Sequence, residues 1–350
     1  MRFARSRLFI LAILATFAAA EELSAEPEGV DDSGRASVMV IVTGVGGRDA
    51  YRDRFANQAA VWQQFGEQAG WTASTIATES VDGSVDERLS RTWADLSANP
   101  PERLVVVLIG HGTDDGRIAR FNIPGDDVSA DSMRKDLDRI DCRQLIFNTT
   151  AASGAWIAPL SSAGRVVITA TKNGREVDAT QFADALSAPL RESDAGETSA
   201  SRGPLDLMPL DLDKDDAVSV LELAVYLSDR TAAAYRDDNR IATEHALIDD
   251  NGDGRGTRLD AFAGTHLRPD VDRASDDRTQ ADGDIARDWI LAELSRRPPL
   301  TEEQLATRRQ LETQLETIKA RRPPRVTDTY LAELEAVFRQ LADVYQNSGE

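Results

Sequence analysis

The chain has 350 residues, of which one is cysteine, three are histidine and only 6% are aromatic, and its 40 Lys and Arg face 60 Asp and Glu. Each shortage excludes something. A single cysteine, Cys142, rules out an intramolecular disulfide, so stability has to come from a hydrophobic core, from bound metal ions, or from both. The histidines, His111, His245 and His266, share no ligand spacing, which argues against a zinc site. A formal net charge of −20 argues against nucleic acid and anionic lipid as partners, because phosphate binding needs clustered Lys and Arg; it is compatible with calcium. Gly44-Val45-Gly46-Gly47 does not complete a dinucleotide fingerprint, since Asp49 stands where the third glycine belongs. Long apolar runs are also scarce. The one at residues 8–14 follows Arg2, Arg5 and Arg7, precedes Ala18-Ala19-Ala20, and is shorter than the roughly 20 residues of a membrane span. Residues 1–20 therefore read as a bacterial-type signal peptide cleaved near Ala20, giving a secreted or periplasmic chain with no membrane span once mature. Residues 21–36 read as a disordered acidic leader.

What is present begins with Val38-Met39-Val40-Ile41-Val42, a β-branched run that predicts a strand. Phe55, Ala59, Trp62 and Phe65 recur at helical spacing. A strand at 72–77, a helix at 85–96, the strand Leu104-Val105-Val106-Val107-Leu108-Ile109, a hairpin at 117–123, an N-capped helix at 129–140, strands at 145–147 and 165–170 and a helix at 180–190 follow. Strand and helix alternating in this way predict an α/β fold, a parallel sheet with helices on both faces, whose ligands bind at the carboxyl ends of the strands. Beyond residue 200 lie Asp-rich loops around a helix at 221–235. An acidic irregular stretch at 268–283 follows, and then two helices, 301–320 and 328–345, forming a C-terminal αα-hairpin. Leu311, Leu315 and Ile318 of the first helix are expected to face Leu331, Leu334, Phe338, Leu341 and Tyr345 of the second.

Two consecutive strand ends carry the candidate chemistry. The first delivers Gly110-His111-Gly112 to a turn; the second opens into Asn148-Thr149-Thr150. A base and a hydroxyl placed there have the roles of a nucleophilic active site. In this respect residues 37–200 resemble the caspase and legumain cysteine peptidases, whose catalytic histidine sits in a His-Gly pair after one hydrophobic strand and whose cysteine follows the next. The resemblance implies a caspase-like fold, with His111 and Gly112 at the histidine motif. Alignment on the strand puts Thr150 at the nucleophile position; alignment on Ser153-Gly154 puts Ala151 there. Neither is cysteine, and Cys142, which precedes its strand, lies about 27 Å from Thr150 if the intervening chain is extended. An alcohol has to surrender its proton during attack, and the threonine methyl crowds its oxygen. The expectation is an exported pseudopeptidase that binds a peptide or protein partner. The alternatives are an active hydrolase using His111 with Thr150 or Ser153, and a structural calcium-stabilised surface module.

Residues 201–270 carry the second motif. Asp211, Asp213, Asp215, the carbonyl of Ala217, Ser219 and Glu222 occupy the ligand positions of a twelve-residue EF-hand loop, with Asp216 where glycine is usual. Asp tolerates the left-handed conformation this position requires better than most residues. Asp249, Asn251, Asp253 and Asp260 begin and end a shorter Asp-x-Asn-x-Asp-Gly loop. Two loops about 38 residues apart predict a pair of Ca2+ sites acting as fasteners in place of disulfides. The hairpin is assigned to residues 285–347.

Overall fold

The runs of Val, Ile and Leu that lack polar interruption form strands buried on both faces. In a computed structural model that describes residues 35–78, 84–174, 180–187, 204–268, 281–294, 300–323 and 325–346, chain order begins with β1 (Ser37–Thr43), α1 (Asp49–Gln68), β2 (Thr72–Ile76), α2 (Val85–Ala98) and β3 (Arg103–Ile109). A small antiparallel sheet follows, β4 (Gly112–Asp114), β5 (Ala119–Phe121) and β6 (Val128–Ser129), where a simple hairpin was expected. Then come α3 (Ala130–Leu137), β7 (Arg143–Asn148), α4 (Ile157–Leu160) and β8 (Arg165–Thr169). The expected signal peptide and nearly all of the leader lie outside the described residues, as does most of the irregular stretch at 268–283.

The next elements are β9 (Ala217–Ser219), α5 (Val220–Asp237), β10 (Leu247–Asp249), β11 (Thr257–Arg258), β12 (Phe262–Ala263), β13 (His266–Leu267), α6 (Asp284–Asp288), β14 (Ile290–Glu293), α7 (Glu302–Ala320) and α8 (Asp328–Gln346). The main sheet runs β11-β10-β8-β7-β3-β1-β2. Its five strands from β2 to β8 are parallel, and β10 and β11 are antiparallel additions at one edge. The Asp-rich segment thus supplies two strands to the same sheet, and its Ile248 and Leu259 join the core of α1 and α5. Side chains alternate between two cores. Met39, Ile41, Val105, Val107, Leu145 and Phe147 pack under α1 and α5; Val40, Val42, Val106, Leu108 and Ile146 pack under α2, α3 and α4. Ser84, Ser129 and Ser219 begin α2, α3 and α5 with capping boxes, each side chain accepting the N3 backbone N–H.

Three expectations are corrected. Residues 180–187 form one short 3-10 turn, Asp184–Leu186, in place of the start of a helix. The two Asp-rich loops do not pair with each other, because β9 pairs with β14. In the hairpin, Leu311, Leu315 and Ile318 meet Tyr330, Leu334, Val337, Leu341 and Val344, while Leu331 and Phe338 turn outward. Among the described residues no helix is long and apolar enough to cross a membrane.

Candidate functional site

β3 and β7 are adjacent and parallel, so the turns after them, carrying His111 and Thr150, open at the same sheet edge. The turns are tied to neighbours by their backbones: Gly44 N–H donates to Ile109 O (2.8 Å), Asn122 N–H to His111 O (3.0 Å) and Val45 N–H to Asn122 O (3.0 Å). His111 is half-buried. Its ring meets Tyr51 edge-on at 4.8 Å between centroids and Phe55 at 5.2 Å, both on α1.

Thr150 is buried completely, and its Oγ1 has no hydrogen-bond partner. Its N–H donates to Asn148 Oδ1 at 3.1 Å, and Gly112 closes over it so tightly that a Cβ there would lie 2.5 Å from Thr150 Oγ1. No hydrogen bond joins His111 to Thr150 or to Ser153 among the described residues. Ser153 is likewise enclosed. Its Oγ shares a hydrogen bond with Thr171 Oγ1 (3.0 Å) and accepts Thr171 N–H (3.1 Å), fastening the turn after β7 to the one after β8. Burial raises the Cys142 thiol to about 11, which keeps it protonated. The strand ends therefore hold the expected residues without an exposed nucleophile or a poised base. Phe55 also lines a cavity of about 270 Å³ whose walls include Gly44, Ala59 and Ala77, with Arg52, Gln63 and Thr78 as polar groups.

The first Asp-rich loop is more convergent. Oxygens of Asp211, Asp213 and Asp215 lie within 4.8 Å of one another, the one such carboxylate group among the described residues. Asp216 adopts φ +66°, the left-handed turn expected at the glycine position, and Lys214 adopts φ +64°. Asp211, almost wholly buried, accepts N–H groups of Lys214, Asp215 and Asp216. Glu222 reaches back from α5: one oxygen accepts Leu212 N–H (2.7 Å) and Asp213 N–H (3.1 Å), the other Ser219 N–H and Oγ–H. Loss of hydration raises the carboxyls of Asp211, Asp213 and Glu222, with Asp215 also raising Asp213 by repulsion. Asp213 Oδ1 is buried and accepts no hydrogen bond. These are features a hard cation with oxygen ligands would satisfy.

Ala217 and Ser219 lie on β9, with Ser219 serving as cap of α5. The second loop is arranged differently. Asp249 accepts Gly252 N–H and Gly254 N–H at 3.0 Å each, Asn251 accepts Asp253 N–H, Asp253 accepts Arg255 N–H, and Asp260 is paired with Arg258. Its polar groups thus serve the loop's own backbone and surface.

Two features had no readable sequence signal. Arg308, on α7 and about 90 residues further along the chain, places its guanidinium on the first loop, 2.9 Å from Asp213 and also bonded to Asp215. Asp250 and Asp282 interlock: Asp250 N–H donates to Asp282, Gly283 N–H and Ala286 N–H donate to Asp250, and burial raises the Asp282 carboxyl to about 6.

No protein-family model matches the chain, and no curated protein matches it by sequence. Among solved structures, caspase-1 from Spodoptera frugiperda is similar at 10% identity over 67% of this chain and 92% of that chain, with a TM-score of 0.39. Likeness at that level says nothing about chemistry.

Proposed function

We propose that this protein is an exported, non-hydrolytic relative of the caspase and legumain peptidases that binds a peptide or protein partner at the sheet edge and calcium at the loop beginning with Asp211. The reading rests first on Thr150. A nucleophile needs an exposed oxygen within reach of its base, and this oxygen is buried beneath Gly112 with no bond to His111. The neighbouring cavity offers apolar walls formed by Phe55, Ala56 and Ala59 with Gln63 and Thr78 as polar groups, a combination that receives an apolar side chain of an extended segment. For calcium, the support is that oxygens of Asp211, Asp213 and Asp215 lie within 4.8 Å of one another and that Asp213 has a buried oxygen accepting no hydrogen bond.

Incubation of the purified mature protein with a peptide library and calcium is expected to give retention without cleavage. Cleavage that disappears in His111→Ala would overturn the non-hydrolytic reading. Thermal unfolding is expected to shift upward with calcium relative to chelator; coincident curves, unchanged by Asp211→Ala, would remove the metal. The packing of the His111 ring on Tyr51 and Phe55 favours a second reading, a structural calcium-stabilised module. Retention of no peptide at all would select it.

A further inference from the structure

The loop beginning with Asp211 already holds a positive charge, supplied by the C-terminal hairpin. Arg308, whose side chain is only 12% exposed, donates from one terminal nitrogen to Asp213 at 2.9 Å and from the other to Asp215. Its Nε bonds Glu312, one turn further along α7, at 2.8 Å. Asp215 has both oxygens engaged: one accepts the guanidinium and the other the N–H of Ala217. The helix that carries Arg308 is loosely seated elsewhere. Its Leu311 and Ile318 belong to a small core shared with α8 and separate from the two cores of the sheet. A cavity of about 660 Å³ lies between α7 and the pair α6 and β14. A second ion pair across it, Arg309 with Asp288 at 3.3 Å, has both partners more than half exposed and contributes little. The hairpin can therefore move off the sheet domain without opening a hydrophobic core.

We infer that Arg308 is a built-in stand-in for calcium and that the hairpin is a calcium-released arm, the ion displacing the guanidinium and freeing α7 and α8 together. The inference rests on the calcium reading proposed above and adds its consequence. Two cations cannot share these carboxylates. Calcium takes about six to eight oxygens, and Asp213 and Asp215 stand at the third and fifth positions of the loop. An ion held there lies beside the guanidinium, and like charges that close repel strongly in poorly hydrated surroundings. The ion brings two charges against one and also draws on Asp211, whose oxygens accept backbone N–H groups. Docked and released forms thus differ in affinity for calcium, which is what lets a ligand shift one into the other. The docked population lowers the apparent affinity of the native protein.

Two measurements on the purified protein test this. Calorimetric titration with calcium chloride reads uptake. Pulsed spin-label distances between Ser90→Cys on α2 and Ala336→Cys on α8, both exposed positions, read the hairpin in a Cys142→Ser background. In chelator one narrow distance is expected. In about 10 mM calcium, above the range of weak extracellular sites, a broad distribution shifted to longer values is expected. Potassium chloride at the same ionic strength is expected to leave the narrow distance in place. Arg308→Gln is expected to be broad in both solutions and to bind calcium at least about tenfold more tightly. Asp211→Asn, which leaves both arginine contacts in place, is expected to stay narrow in calcium. Calcium uptake with the narrow distance unchanged overturns this inference and leaves the calcium reading standing. No uptake by the native protein or by Arg308→Gln removes the calcium reading itself, and the inference with it. Uptake by Arg308→Gln alone overturns the exchange and makes the arginine a permanent substitute for metal. A native protein already broad in chelator, or one broadened equally by potassium chloride, also overturns it.

Discussion

Thr150 and Gly112 define what the sheet edge can do, because each occupies space the other would need. A buried hydroxyl without a partner costs free energy that a methyl group of the same shape does not. Thr150→Val is therefore expected to leave stability unchanged or to raise it by up to about 1 kcal/mol, read by denaturant unfolding. A clear loss would mean that the hydroxyl has a partner and would reopen the hydrolase reading. Gly112→Ala is expected to cost about 1–3 kcal/mol, as the added methyl meets Thr150 Oγ1 and the Ala152 Cβ. Thr150→Ala in the same chain should recover part of that loss, a coupling that a double-mutant cycle isolates. The positions of His111 and Thr150 on neighbouring parallel strand ends were legible from two hydrophobic runs. The absence of a hydrogen bond between them was not, because the His111 ring packs on Tyr51 and Phe55, which lie more than fifty residues earlier on α1.

Strands and long helices follow local pattern closely: β1 and β3 carry long apolar runs, β7 has the shorter run Leu145-Ile146-Phe147, and α5 begins at a serine with glutamate three residues on. Contacts between distant elements were invisible to pattern. On α8 Leu334 and Leu341 face α7 as their spacing predicts, but the apolar arc is wide enough for Leu331 and Phe338 to compete with Tyr330 and Val337, and the latter pair takes the inward side. The docking of α7 on the loop beginning with Asp211 rests on Arg308, one of two adjacent arginines in a charged helix, with nothing local to mark it. A cavity of about 660 Å³ separates α7 from α6 and β14, so this guanidinium is a principal tether of the hairpin. Two opposite consequences follow for Arg308→Gln. Without metal, the variant leaves Asp213 and Asp215 buried without their counter-charge and is expected to lose about 3 kcal/mol. With metal, a competing cation is gone, and calorimetric titration is expected to show calcium binding at least about tenfold tighter than in the native protein. Unchanged affinity would place the ion, if bound, away from Asp213 and Asp215.

The parts combine into a chain with an acid surplus and several carboxylates held in poorly hydrated surroundings. Burial raises Asp211, Asp213, Glu222, Glu244 and Asp249, and it brings Asp282 to about 6. Asp115 is displaced the other way, held near 2 by the N–H of Ile118, the Arg120 side chain and the N–H of Arg117, so its influence is confined to strongly acidic solution. A carboxyl with a raised folded-state pKa binds more protons folded than unfolded in the interval between its two values. Stability therefore falls as pH rises through that interval. For Asp282 the interval runs from 3.8 to about 6. Mutual repulsion among charges summing to −20 acts in the same direction. In chelator, unfolding free energy is thus expected to decline from about pH 4 to about pH 6, a window set by the ordinary and raised carboxyl values. On the proposed calcium reading the ion takes the ionised carboxylates, so added calcium is expected to oppose the decline, and the gap between the calcium and chelator curves to widen as pH rises. Denaturant unfolding at stepped pH with each additive reads both. Stability that climbs through this window in chelator would contradict the burial of these carboxyls, while a constant gap would contradict calcium at the loop.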